Sequence, residues 1–534
     1  YASTVGTSER TGAVVEPRLS LQWWIRMPEL AKPALDAVMS DDIQLIPEKF
    51  KNTYRHWMEN VKDWCISRQL WWGHQIPAFF YGEGESDFVV AKTAEEALKK
   101  ARIQSGQTGL SLSDLRQDED CLDTWFSSWL WPISVFDGIN HPDNAEMAYY
   151  YPTQDLVTAP EILFFWVARM AMAGFEYTGK KPFENVYLTG IVRDKQGRKM
   201  SKSLGNSPDP LTLIEQYGAD GVRMGMLMSS PAGNDLPFDE DLCIQGRNFS
   251  NKVWNALRLV KGWESSPEAP DAAAQWAMTW FDQVLAQTLL ELEDDFKKYR
   301  LSEALLKIYK LIWDDFCSWY LEMVKPAYGS PASAEVLERT MGFFEDLMKV
   351  LHPFMPFITE EVWHALRPVS EDTFLNLQTW PTASTQDRQA LKDFGHIEAL
   401  VAVLRTIRKD RNIPFKTPLD VRYQGEAPIG LAVVEKLVHA SSQSSVPEGA
   451  MAFLAGTREY FLHFDEGTQE ISEEERASLL KDVAYFEGFA ASIEKKLSNP
   501  GFVNNAPAAV IENERKKGAD ALAKVAALKA RISE

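Results

Sequence analysis

The chain has 534 residues, 45% of them hydrophobic and 25% charged, which is enough for several domains with sizeable cores. Seventy-six acids against 56 bases leave a net charge of −20, which argues against wholesale coating of nucleic acid and leaves only local basic surfaces for phosphate. The four cysteines (Cys65, Cys121, Cys243 and Cys317) form no Cys-x-x-Cys pair, so neither a disulfide framework nor a cysteine zinc site is expected, and a reducing cytoplasm fits. No apolar run is long enough for a bilayer, and no signal peptide is visible.

The chain opens on Tyr1 rather than Met, inside what reads as a strand, so a piece of a longer protein is expected. Val14-Val15-Glu16-Pro17-Arg18 and Gln22-Trp23-Trp24 read as strands that leave one domain and re-enter another. From Leu45 to Phe80 aromatics are dense, and Trp64, Trp71 and Trp72 are expected in the core, with Arg68 and His74 the better polar candidates. Lys92 to Lys99 reads as a short exposed helix. Asp120 to Ser128 lies between a polar loop and an apolar run, where Trp125 is either a site edge or a packed core residue.

Residues 155 to 190 form a β-α-β pattern. Leu156-Val157-Thr158 is a buried strand, Ala159-Pro160-Glu161 opens a helix, and the helix stops near Gly174. Val186-Tyr187-Leu188 is the next strand, which implies parallel pairing, with ligands expected at the carboxyl edge. Ile162 and Trp166 are four apart and share a helix face near that edge, either as a small apolar pocket or as packing against the sheet.

Then comes Gly190 to Asn206, with five basic side chains and one acid between Arg193 and Lys202. A cationic, glycine-punctuated loop after a strand suits a polyphosphate, because lysines neutralise it and backbone amides cradle it. Asp209-Pro210 caps a helix that ends at Tyr217-Gly218, and Ala219 to about Met228 forms another.

From Arg247 to about Arg367 helical spacing dominates, broken at His352-Pro353-Phe354-Met355-Pro356. Residues 390 to 465 look mixed. One helix there carries Arg405, Arg408, Lys409 and Arg411, which reads equally as an RNA-phosphate contact or a solvated face. Leu479, Val483, Phe486, Ala490, Ile493 and Leu497 keep a heptad seam. After Asn499-Pro500-Gly501 a second seam runs through Gly518, Ala521, Val525, Leu528 and Ile532, so two antiparallel helices should zip into a projecting arm.

The string Lys199-Met200-Ser201-Lys202-Ser203 resembles the second signature of class I aminoacyl-tRNA synthetases. Asp63 to Pro77 (DWCISRQLWWGHQIP), Asp123 to Ser128, Ile162 to Trp166 and His352 to Trp363 (HPFMPFITEEVW) resemble the valyl subgroup more than its isoleucyl and leucyl relatives. Lys496-Leu497-Ser498-Asn499, with Phe502 and Ala506-Pro507, is similar to that subgroup's C-terminal arm, so the resemblance covers nearly the whole chain. It implies a Rossmann-type α/β parallel sheet, then an α-helical anticodon-binding bundle, then an antiparallel coiled-coil hairpin. The implied boundaries are an editing-domain exit at 1–28, the C-terminal half of the catalytic domain at 29–246 and the bundle at 247–389. A small mixed subdomain at 390–465 and a tRNA-binding arm at 466–534 follow.

The reaction implied joins valine to ATP as valyl-adenylate and passes the valyl group to tRNA(Val). By the same resemblance Trp125, Ile162 and Trp166 line the valine pocket. Gly190, Lys199, Met200, Ser201, Lys202 and Ser203 hold ATP, which enters with Mg2+ as substrate, and Lys199 and Lys202 carry the catalytic charge. A cytoplasmic monomer that touches no membrane is expected. The departures are equally specific. The eight histidines (His56, His74, His141, His352, His364, His396, His439 and His463) cannot form the His-x-Gly-His first signature, so this chain alone is expected not to activate valine. Ala78 to Val90 contain no cysteine, so no zinc is expected there. The alternatives are a non-catalytic tRNA-binding fragment, or isoleucyl specificity, against which the Trp125 segment and the hairpin argue.

Overall fold

The computed structural model describes residues 4–8, 11–16, 19–201, 204–370, 372–384, 388–411, 413–464, 473–498 and 508–533. They form two compact units, Tyr1–Ser201 with Ser230–Phe238, and Lys202–Ser229 with Asp239–Glu534. Among the described residues no helix is long and apolar enough to cross a membrane.

The first unit is built on α1 (Met27–Met39), β1 (Gln44–Ile46), α2 (Phe50–Glu59), β2 (Thr153–Thr158), α3 (Ala168–Thr178) and β3 (Phe183–Leu188). The strands form a parallel sheet in the order β1-β3-β2, with Val186 opposite both Leu45 and Leu156. The expected β-α-β unit is therefore present, and β1 extends it. Helix α1 buries Met27, Ala31, Ala34 and Val38, spaced for one face, and its alanines let it lie close to α3. Helix α3 is buried continuously from Ala168 to Gly174, as a crossover covering a sheet must be.

Two expectations fail here. The crossover helix does not stop at Gly174 but runs on to Thr178, where Gly179 takes the left-handed conformation. Gly174 is instead a packing glycine, since a Cβ there would lie 2.9 Å from the Lys180 carbonyl oxygen and the Tyr151 hydroxyl. Trp64 is buried as expected, but Trp71 and Trp72 are 106% and 92% exposed, because the bend at 71–73 carries them outward. The helix expected at Lys92–Lys99 spans Ala94–Ser105 and starts at Thr93, whose hydroxyl accepts from Glu96 N at 3.3 Å. It covers strands Ala78–Phe80 and Phe88–Val90 through Phe79, Val89, Ala97 and Ala101.

In the second unit the helices Pro210–Tyr217 and Ala219–Met228 stand where the sequence places them, the first capped by Asp209. Helices Glu240–Lys261, Ala272–Lys297, Leu301–Lys310, Ala334–Leu351 and Pro356–Leu366 share a core that includes Phe249, Trp280, Phe281, Ile308, Phe316, Tyr320, Phe343 and Leu347. Leu311–Tyr320 is a ten-residue π-helix for which the sequence gives no warning. After helix Arg388–Asp410, strands Leu419–Arg422, Ala440–Gln443, Met451–Ala455 and Arg458–His463 make one mixed four-stranded sheet.

Helices Glu473–Leu497 and Ala508–Ser533 lie side by side. Lys496 pairs with Glu514 and Glu487 with Lys529, so they run antiparallel. Leu479, Val483, Ala490, Ile493, Ala521 and Val525 are buried along the seam. The expected breaks at Asn499-Pro500-Gly501 and Ala506-Pro507, with Phe502 and Arg18, lie outside the described residues, and nothing is described of the Ile532 side chain.

Candidate active site

All three parallel strands end at one edge of the sheet. There Thr189 N donates to Thr158 O at 2.8 Å, and Gly233 N to Leu188 O at 2.7 Å. Gly190 follows, pressed so closely against the returning chain that a Cβ would lie 1.7 Å from the Asn234 carbonyl oxygen. Only glycine permits that approach. Val192–Arg193 then pairs in parallel with Leu236–Pro237.

The cationic loop is more ordered than a flexible polyphosphate cradle would require. Residues 193 to 199 form a hairpin closed by a bridge between Arg193 and Lys199. Its single acid, Asp194, is buried and organises the turn: Oδ1 accepts from Gln196 N at 3.0 Å and Arg198 N at 2.8 Å, while Oδ2 accepts from Arg198 Nε at 2.8 Å. Arg193 pairs with Asp235, which holds that carboxyl below its usual range. Lys199 Nζ sits 2.7 and 2.8 Å from the two carboxylate oxygens of Glu161, in the turn that leaves β2. Three of the loop's basic side chains thus face carboxylates. Lys202 and Ser203 lie outside the described residues; Met200 and Ser201 are half-buried.

Beside the edge stands an aromatic group. Trp125 follows Asp123, whose Oδ1 accepts from Trp125 N at 2.7 Å, and its ring stacks on Phe165 at 5.7 Å. Trp166 Nε1 donates to Ser128 O at 3.4 Å, and its ring meets Trp131 at 5.8 Å. Ile162 ends a 3-10 turn, and Leu163–Val167 is a π-helix, so the α-helical four-residue repeat that paired Ile162 with Trp166 does not apply across this segment. Trp125, Ile162 and Trp166 are all half-buried, neither core nor free surface. Arg68 pairs with the buried Asp123, and His74 Nδ1 lies 2.7 Å from Ser127 Oγ.

The basic helix end divides in two. Arg408 is only 8% exposed, and its guanidinium donates to the carbonyls of Pro414, Thr417, Val438 and His439 at 2.6 to 3.3 Å. It is a structural cross-link and has no face left for a phosphate, which corrects its assignment as an RNA contact. Arg411 is half-buried, with Nη2 3.1 Å from Met451 Sδ and its guanidinium over the Phe464 ring. Arg405 and Lys409 stay exposed.

Sequence reasoning missed Glu161, Asp194, Asp123 and Arg169 as partners of the site. A signal existed for two of them. Asp194 is the one acid in a basic loop, and Glu161 is an acid at the start of the segment leaving a strand. Nothing in spacing marks Asp123 or Arg169. Among the described residues no group of three or more His, Cys, Asp or Glu could hold a metal ion.

Comparison with known proteins places these features in a class. Residues 7–239 match the family model of class I tRNA synthetases (I, L, M and V), and residues 278–423 match the anticodon-binding domain of tRNA ligases. Residues 472–534 match the tRNA-binding arm of valyl-tRNA synthetases. Valine–tRNA ligases of Christiangramia forsetii and Parabacteroides distasonis are 56% and 57% identical over 100% of this chain, which spans 61% of each of them. That of Chlorobaculum tepidum is 37% identical over 97% of the chain and 59% of its own length. The chain is similar along its whole length to valine–tRNA ligases and spans about three-fifths of the length of these relatives.

Proposed function

We propose that this chain supplies the second half of the adenylate-forming site, and the tRNA-contacting parts, of a valine–tRNA ligase. The observation that carries the reading is similarity along the whole chain to valine–tRNA ligases, at 54 to 57% identity in seven of them. The parallel sheet would be half of a Rossmann-type domain, the helices of the second unit an anticodon-binding bundle, and the final helix pair a coiled-coil arm on tRNA(Val).

The chemistry fits the residue types. The valine carboxylate attacks the α-phosphorus of ATP and pyrophosphate leaves, so no protein nucleophile is needed. The protein's task is to hold the reactants in line and to offset charge that develops on the leaving group. Lys199 and Lys202 suit that task, with Gly190, Met200, Ser201 and Ser203 shaping the loop around ATP and its Mg2+. The Lys199–Glu161 pair is solvent-exposed and worth only about 0–1 kcal/mol, so a triphosphate can displace Glu161. Trp125, Ile162 and Trp166, all half-buried, would line the space for the branched side chain. Arg405 and Lys409 remain the candidates for tRNA phosphates.

The test is valine-dependent ATP–pyrophosphate exchange in the complete-length protein, with and without Lys202→Ala. The substitution should lower exchange far more than valine affinity, and unchanged exchange would sink this role for the loop. The 534-residue chain alone should bind tRNA with a steep salt dependence and catalyse no exchange, since no His-x-Gly-His lies within it. Exchange by the isolated chain would show that the first signature is dispensable.

A further inference from the structure

Arg169 is the most unusual charge in the first unit. It lies on α3, is only 9% exposed, and its Nε and Nη1 are buried without a hydrogen-bond partner. Burial pushes its pKa down to about 10, opposed by Asp123 and reinforced by Arg68. An arginine is retained in such a place only if something else compensates it. The compensation is aromatic: its guanidinium carbon sits 3.5 Å from the centre of the Trp64 ring and 5.8 Å from that of Phe165.

Those two rings lead to the candidate pocket. Phe165 is half-exposed, and its other neighbour is Trp125, stacked at 5.7 Å with an interplanar angle of 27°. Trp64 is fixed from behind by edge contacts to Phe126 and Trp129. Asp123 completes the arrangement. Two guanidinium groups, those of Arg68 and Arg169, lie in its field, and its other oxygen caps the Trp125 turn. The Trp125 indole is therefore held from two sides, through its ring by Phe165 and through its backbone by Asp123, and Arg169 acts on both.

We propose that Arg169 is a positioning residue for the amino-acid pocket: seated on Trp64, it fixes Phe165 and Asp123, and through them the Trp125 indole that meets the substrate side chain. This rests on the valine–tRNA ligase reading given above. A side chain that serves only the fold would, when removed, lower stability and the fraction of active protein. A positioning residue changes how the pocket grips the amino acid and leaves the nucleotide alone.

The experiment compares wild type, Arg169→Lys, Arg169→Met and Phe165→Leu in the complete-length protein. Pyrophosphate exchange is measured against valine and against ATP, with thermal unfolding in parallel. Loss of a desolvated cation–π contact corresponds to about tenfold or more in binding. Arg169→Met is expected to raise the valine KM by about that factor with the ATP KM unchanged, and Arg169→Lys to recover part of it. Phe165→Leu cuts the same path at a half-exposed residue and should show the same valine-selective rise. It decides the question if Arg169→Met fails to fold. An unchanged valine KM in Phe165→Leu, or equal rises for valine and ATP, would overturn the proposal while wild-type exchange keeps the underlying reading intact. Wild-type protein without valine-dependent exchange would overturn both.

Discussion

Replacing Arg408 by alanine separates a structural role from an RNA-binding one. Four carbonyl oxygens, those of Pro414, Thr417, Val438 and His439, receive hydrogen bonds from its two terminal nitrogens. Hydrogen bonds to charged groups contribute roughly 1.5–3 kcal/mol each, but four on one side chain are not additive. Breaking a buried charged network costs about 3–5 kcal/mol in total. Against a usual stability of about 5–15 kcal/mol, that is a large loss. Equilibrium urea unfolding of the 534-residue chain should show a markedly lower midpoint for Arg408→Ala, while the folded fraction binds tRNA with wild-type affinity. Arg405→Ala and Lys409→Ala should do the reverse, with the midpoint kept, tRNA affinity weakened and the salt slope reduced. An Arg408→Ala protein of wild-type stability that binds tRNA tenfold more weakly would refute the assignment.

Gly190→Ala should destabilise the strand–loop junction by about 3 kcal/mol or more, the upper end for overpacking, because the new Cβ meets the Asn234 backbone rather than a yielding side chain. A thermal midpoint and an exchange rate equal to wild type would contradict that. Glu161→Gln removes the carboxylate that holds Lys199 and should speed tryptic cleavage between Arg198 and Lys202 in ligand-free protein; an unchanged digestion pattern would mean the hairpin alone orders the loop. Asp315 has its pKa raised to about 6 by burial, with Asp314 and Glu398 adding to the rise and Lys310, 3.8 Å away, opposing it. Its folded-state pKa lies above the unfolded value, so folding favours the neutral acid, and stability should fall as pH rises from about 4 to 6. Asp315→Asn should therefore raise the thermal midpoint at pH 7.5 more than at pH 4.5, and equal effects at both would disprove the shift.

The contrast between Arg408 and Arg405 shows what the sequence carried and what had to be seen. Helix Arg388–Asp410 buries Ile397, Leu400, Val401, Leu404 and Ile407. Arg408 falls four residues after Leu404, on the buried stripe, whereas Arg405 and Lys409 fall off it. Helical phase alone would have separated them, and counting basic residues hid it. The strands and crossover around 155–190 were legible for the same reason, since apolar periodicity reports a face that must be covered. Trp71 and Trp72 were not legible, because composition says that a ring prefers burial but not that the bend leaves one available. The π-helical register at Leu163–Val167 was also hidden, and it carries Phe165 and Trp166, whose rings meet Trp125 and Trp131. The loop shows the sharper limit. Its string of lysines named the family, but a charge run cannot show which charges are already matched. Arg193 is paired with Asp235, Arg198 with Asp194, and Lys199 with Glu161, on partners 42, 4 and 38 residues away. Lys199 is thus already matched by Glu161, so the triphosphate proposed for this loop would have to take Lys199 from a carboxylate.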